Sequence, residues 1–176
     1  DSMTGFGQLN GNEGDDMLSG GNYAQSINGG AGEDQLYGGG GDDVLNGGAG
    51  EDLFVGGAGA DTLQGGGGVD YASYANAPGA VYAYLGSLTA NSDTYFAGSH
   101  ADGDRYTLIN NLIGSAHDDR LEGNASNNSF NGGAGTDTVT YEHSGAGVTA
   151  SLLGGGTQGD ASGDAGRWLG QGVLDG

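Results

Sequence analysis

The sequence predicts an all-β fold, a solenoid of stacked 18-residue coils, and three observations carry that prediction. From Gly11 to Ser73 a nine-residue unit recurs in one phase, Gly-Gly-x-Gly-x-Asp-x-apolar-x, and the four units 29–37, 38–46, 47–55 and 56–64 obey it at every defined position. Each unit has one apolar slot, held in turn by Leu9, Leu18, Ile27, Leu36, Leu45, Phe54, Leu63 and Ala72. Finally, 43 of the 176 residues are glycine and only 35% are hydrophobic, so a conventional close-packed core is excluded. Glycine in such amount normally signals disorder, because ordering it costs the most backbone entropy. Here the glycines keep fixed places in the unit, as they do where a particular backbone conformation demands them.

The elements follow from the unit. The apolar slot lies in a three-residue stretch too short to be a stable strand alone, so its side chain is buried against its equivalents in other units. Two units make one coil of turn, strand, turn, strand, and coils stack at the roughly 4.8 Å spacing of parallel strands. Asp16, Asp34, Asp52 and Asp70 then line one edge, and Asp43 and Asp61 the other. Residues 2–10 are a degenerate first unit, with Gly7 where Asp belongs. The unit 20–28 carries Tyr23 in place of Gly and Gln25 in place of Asp, which leaves the N-terminal end of the second edge poor in carboxylates.

After Ser73 the period lapses. Val81, Ala83 and Leu85 alternate with Tyr82 and Tyr84, as in a strand with one inward face, and Leu108, Ile109, Leu112 and Ile113 supply further apolar pieces. The unit returns at 114–122, 123–131 and 132–140, with apolar slots Leu121, Phe130 and Val139 and Asp slots Asp119, Asn128 and Asp137. A shift of 67 residues lays Gly68, Asp70, Tyr74, Val81 and Leu85 on Gly135, Asp137, Tyr141, Val148 and Leu152. The expected organisation is a nonapeptide block over 1–73, an irregular β insert over 74–113, a second block over 114–140 and the start of a second insert over 141–176. Because the chain begins in mid-pattern, it reads as a piece of something longer.

The formal charge is −20, from 23 acidic residues against Arg105, Arg120 and Arg167, with no lysine. Nucleic acid and anionic membrane both need basic surface, so neither is an expected partner, and no apolar run is long enough to insert in a bilayer. The natural counter-ion is a hard cation. Carboxylates and carbonyls suit Ca²⁺, whereas zinc or copper would want Cys or clustered His. There is no cysteine to staple the fold or ligate a metal. Glycine in the six-residue turns allows positive φ, and carbonyls turned toward a common point beside an Asp carboxylate form an oxygen cage.

This nonapeptide resembles the repeats-in-toxin motif, and the resemblance implies a parallel β-roll with Ca²⁺ held between successive turns. In that family a site takes the carbonyls of positions two and four and the Asp of one unit, with the carbonyls of positions one and three and the Asp of the unit stacked above. Carried over, the first edge would use Asn12, Gly14 and Asp16 with Gly29, Ala31 and Asp34. Above these come Gly30, Gly32 and Asp34 with Gly47, Ala49 and Asp52, then Gly48, Gly50 and Asp52 with Gly65, Gly67 and Asp70. The second edge would use Gly39, Gly41 and Asp43 with Gly56, Ala58 and Asp61, and the later block Asp119 with Gly132, Ala134 and Asp137. The resemblance thus implies about four to six Ca²⁺ ions. Asp102 and Asp104, with Asp160 and Asp164, are candidates for further ions at widened turns, although Asp-Gly-Asp also makes an ordinary solvated turn.

No enzyme is expected. His100, His117 and His143 stand apart with no zinc motif, no nucleophile elbow is present, and the acid pairs Asp15-Asp16, Asp42-Asp43 and Asp118-Asp119 recur with the unit, as structural residues do. Tyr71, Tyr74, Tyr82, Tyr84 and Tyr106 would suit sugar stacking or half-buried strands equally. The family likeness implies export of an unfolded chain through a one-step (type I) secretion channel and folding outside the cell. The parent is then a secreted surface-layer, adhesin or filament protein, or else an extracellular protease, lipase or polysaccharide-modifying enzyme carrying these repeats at its C-terminus. The 67-residue unit favours the structural protein. Open strand edges at the ends of the stack make end-to-end self-association a further expectation.

Overall fold

The computed structural model describes residues 2–4, 7–86 and 99–140. Tyr141, His143, Val148, Leu152, Asp160 and Asp164, and with them the second insert, lie outside the described residues. The strands are β1 (Ser2–Thr4), β2 (Gln8–Glu13), β3 (Met17–Ser19), β4 (Ser26–Ala31), β5 (Gln35–Gly40), β6 (Val44–Ala49), β7 (Leu53–Ala58), β8 (Thr62–Gly67), β9 (Tyr71–Ser73), β10 (Tyr82–Tyr84), β11 (Arg105–Thr107), β12 (Asn111–Ile113), β13 (Arg120–Glu122), β14 (Ser129–Asn131) and β15 (Thr138–Thr140). No helix occurs among these residues, and none is long and apolar enough to cross a membrane.

All the pairing is parallel. One sheet runs β1-β3-β5-β7-β9-β12-β14, the facing sheet β11-β8-β6-β4-β2, and a third β10-β13-β15. Within the regular coils the register offset is 18 residues, as in Leu36↔Phe54 and Leu45↔Leu63. The fold is the expected β-solenoid, of about seven turns.

The strands β4 to β8 are six residues long, not the three expected from the apolar slot. Pairing continues into the glycines of the next unit, as in Gly39↔Gly57 and Gly40↔Ala58. Position two makes this possible: Gly30, Gly48 and Gly66 have φ of 123°, 114° and 120°, which lets the chain bend while its neighbours stay in the ladder.

Between the two main sheets lies one thin core. Leu9, Leu18, Ile27, Leu36, Leu45, Phe54, Leu63 and Ala72 are all at most 5% exposed, so every apolar slot from the first block is buried. Leu121 continues the row. Because each coil buries so few side chains, Phe54 packs tightly enough that a Cβ on Gly47 would stand 2.8 Å from its ring.

The insert is built into this stack. β11 pairs with β8 and β12 with β9, so residues 105–113 rejoin the coils that stopped at Ser73. β10 pairs with β13 and begins the third sheet. Here the single-inward-face expectation needs correction: Val81, Ala83 and Leu85 are buried, but so are Tyr82 and Tyr84. The outward face is covered because the Tyr82 hydroxyl donates to Glu122 Oε2 at 2.8 Å and the Arg120 guanidinium lies over the Tyr82 ring.

Candidate metal centres on the edges of the solenoid

Each Asp at position six closes a turn and enters a strand, and stacking places it over its equivalent one coil away. The backbone N–H of Asp16 donates to Asp34 Oδ1, that of Asp34 to Asp52 Oδ1, and that of Asp52 to Asp70 Oδ1, at 2.9, 2.9 and 3.0 Å. On the other edge the N–H of Gln25 donates to Asp43 Oδ1 and that of Asp43 to Asp61 Oδ1, at 2.7 and 2.8 Å. The two columns inferred from the period are therefore present.

The second carboxylate oxygen is the informative one. Oδ2 of Asp34, Asp43, Asp52, Asp61 and Asp70 is buried and takes no hydrogen bond from the protein. An ionised carboxylate buried with half its acceptors unmet is costly unless something positive faces it. Burial accordingly pushes the Asp52 and Asp61 carboxyls up to about 6, against the pull of the backbone N–H each accepts, and raises those of Asp34, Asp43 and Asp70. Neighbouring carboxylates add to the rise, Asp34 and Asp70 for Asp52 and Asp43 for Asp61.

Glycine shapes the space around these oxygens. A Cβ on Gly29 would strike the Asp34 carboxylate and come within 2.8 Å of the Gly47 carbonyl oxygen. On the first edge, position two is Asn12, Gly30, Gly48 and Gly66 and position four is Gly14, Gly32, Gly50 and Gly68, all with positive φ. That alternation sets the Gly30 and Gly32 carbonyl oxygens against Gly48 and Gly50 of the next coil, with a Gly14 N–H to Ala31 carbonyl bond of 2.7 Å and its equivalents at Gly32 and Gly50 fixing the levels. Gly39, Gly41, Gly57 and Gly59 repeat the pattern on the second edge. Carbonyl and carboxylate oxygens without a soft donor fit Ca²⁺. Among the described residues no three His, Asp or Glu side chains converge, so backbone oxygens would supply much of any coordination shell.

The pattern has definite limits. At the 20–28 unit neither Gly21 nor Tyr23 has positive φ, and Gln25 Oε1 accepts the Gly21 N–H at 3.0 Å. On the first edge the next turn above Asp70 has only three residues, Leu108 to Asn110, and Asn110 Oδ1 takes the Asp70 N–H at 2.9 Å. Above Asn110 its carbonyl accepts Asn128 Nδ2, so amides continue the column. On the second edge Asp104 occupies the slot above Asp61 and accepts its N–H at 2.8 Å. In the later block Asp119 Oδ1 accepts the Ser115 hydroxyl and the Val81 N–H, and its other oxygen accepts the Ser115 N–H. Its own N–H donates to Asp137 Oδ1 at 2.9 Å.

Sequence reasoning placed Asp104 only as a loose candidate and missed Asn110. A signal was there: Asp104-Arg105-Tyr106-Thr107 and Asn110-Asn111-Leu112-Ile113 both keep the Asp/Asn-x-apolar-x half of the unit. Of the candidate aromatics, Tyr74, Tyr82 and Tyr84 are buried and offer no stacking platform.

No curated protein and no solved structure matches the chain. The family model for the RTX calcium-binding nonapeptide repeat matches in four copies, over residues 8–22, 19–54, 46–73 and 108–141, which together span more than half of the chain. The repeats of that family bind Ca²⁺, in keeping with the oxygen-lined, carboxylate-bearing turns described above. On the strength of those four copies and of the solenoid they build, the chain belongs to the RTX calcium-binding nonapeptide repeat family.

Proposed function

We propose that this segment is a calcium-triggered folding module of a secreted structural protein. The ions sit at three successive levels of the first edge, between Asp16 and Asp70, and at one level of the second, between Asp43 and Asp61, with the residue sets given from the sequence. A further ion at Asp119, Gly132, Ala134 and Asp137 belongs to the later block. The observation that carries this is the row of buried Oδ2 atoms with no protein donor, each beside glycine-shaped turns. Without a cation the buried carboxylates oppose folding, and the single thin core offsets little of the chain entropy.

The family's proteins are typically exported by type I systems, and an ion requirement in the millimolar range keeps the chain unfolded before export and folds it outside. A surface-layer, adhesin or filament role is supported by the 67-residue higher unit and by an insert that stacks within the solenoid and extends it as a rod. Circular dichroism with chelator and with millimolar Ca²⁺ tests the module: β structure should appear only with Ca²⁺, and equal β content in both conditions would sink the proposal.

A further inference from the structure

The level above Asp61 on the second edge differs from those below in what faces the carboxylate. Asp104 is 1% exposed and its Oδ1 makes the same bond to the coil beneath as every other Asp of the column. Its Oδ2, however, accepts the Tyr74 hydroxyl at 2.6 Å. The Tyr106 hydroxyl touches the Tyr74 hydroxyl; since the single Tyr74 proton goes to Asp104, Tyr106 is left to donate to the Tyr74 oxygen. Tyr74 itself is 3% exposed, so its bond to Asp104 is shut away from water, while Tyr106 is half-buried.

The turn leading to Asp104 is also built differently. Below it Gly57 and Gly59, at positions two and four, keep the positive φ of the regular units, whereas His100 and Asp102, which hold those positions in the turn itself, do not. The Ala101 carbonyl, at position three, is spent inside the turn on the Asp104 N–H, whereas its equivalent Ala58 accepts from Gly41 of the coil below. At this level the upper turn folds its position-three carbonyl back on itself, and a proton donor, the Tyr74 hydroxyl, stands at Asp104 Oδ2 where the regular carboxylates have none.

We propose that the Tyr74 hydroxyl takes the place of an ion at this level, ending the second-edge ion column at Asp61 and locking the insert onto the solenoid by hydrogen bonds alone. Tyr74 is the first residue past the block's last strand, so the chain that leaves the roll also latches the segment that returns to it. A column that ended in a bare carboxylate would need one more cation; one that ends in a phenol does not. On the second edge the ion level below Asp61 thus gives way, at Asp104, to a level held by hydrogen bonds.

This rests on the ion reading of the regular levels, and the test separates the two. Bound Ca²⁺ is counted by equilibrium dialysis of the full chain and of the variants Asp61→Asn and Asp104→Asn, both of which keep the Oδ1 acceptor. Asp61→Asn should lose one ion and Asp104→Asn none. If Asp61→Asn loses none, the ion reading of the second edge fails; if both lose an ion, Asp104 is a ligand and the proposal alone fails. In saturating Ca²⁺, Tyr74→Phe should speed amide exchange at Asp61 and over residues 101–106 by roughly 10- to 100-fold, the worth of a hydrogen bond to a charged group. Unchanged exchange there would overturn the lock.

Discussion

Asp52 stands between two ion levels, one shared with Asp34 and one with Asp70, whereas Asp61 borders only the level shared with Asp43. That difference makes Asp52→Asn and Asp61→Asn a discriminating pair. Asparagine keeps Oδ1, and with it the 2.9 Å bond from the Asp34 N–H, so the ladder survives while one negative charge is lost. An extracellular-type site of Kd about 10⁻⁴ M contributes about 1.4 kcal/mol at 1 mM Ca²⁺. Asp52→Asn should therefore cost about 3 kcal/mol in urea unfolding at 1 mM Ca²⁺, and Asp61→Asn about half of that. Against the four sites of the first block, together worth about 6 kcal/mol, the first loss takes that block near its threshold. With chelator the sign reverses, since the variant has one buried carboxylate fewer to desolvate. Equal losses at Asp52 and Asp61, or a loss at Asp52 that persists in chelator, would refute the two-level assignment.

Three further outcomes are expected. Without metal, the raised Asp52 and Asp61 carboxyls bind more protons in the folded than in the unfolded chain between about pH 4 and 6, so metal-free stability falls as pH rises through that window. Circular dichroism in chelator should show more β structure at pH 4.5 than at pH 7.5, and the reverse order would contradict the burial of these groups. Phe54→Ala removes a fully buried ring from the thin core and should cost about 3–5 kcal/mol, moving the Ca²⁺ midpoint of folding upward. Gly48→Ala sets a Cβ against the Gly30 carbonyl at φ 114°, and ion counting should show fewer Ca²⁺ bound; an unchanged count would contradict the shaping of the site by glycine.

The block from Leu9 to Ala72 was legible because one period states both its core and its edges. Eight apolar slots predicted eight buried side chains, and the 18-residue coil predicted which Asp lies over which. Strand length was not legible, because glycine gives no sign in sequence of joining a ladder; the stacked backbone above and below holds it there. The insert was legible only in fragments. Once the chain leaves the period, the offset between stacked positions becomes 43 residues from Asp61 to Asp104 and 40 from Asp70 to Asn110. No regular spacing links those partners, and only the Asp/Asn-x-apolar-x remnant survives to mark them. The burial of Tyr82 and Tyr84 escaped for a related reason: their alternation is that of a half-exposed strand, and Glu122 and Arg120 that satisfy them lie some forty residues on.

The ladder of Asp amides and Asp carboxylates runs one way. In each coil the amide waits for an oxygen supplied by the coil that follows it in the chain, so this ladder has a donor end and an acceptor end. Beside it runs a second ladder of opposite sense, in which the amides of Gln35, Leu53 and Tyr71 donate to the Asp carbonyls of the coil before, so trimming either end strips an acceptor from an amide already inside. Each end of the solenoid thus presents unmet donors as well as acceptors, set in opposite order at the two ends, and any neighbour added in series must meet it head to tail.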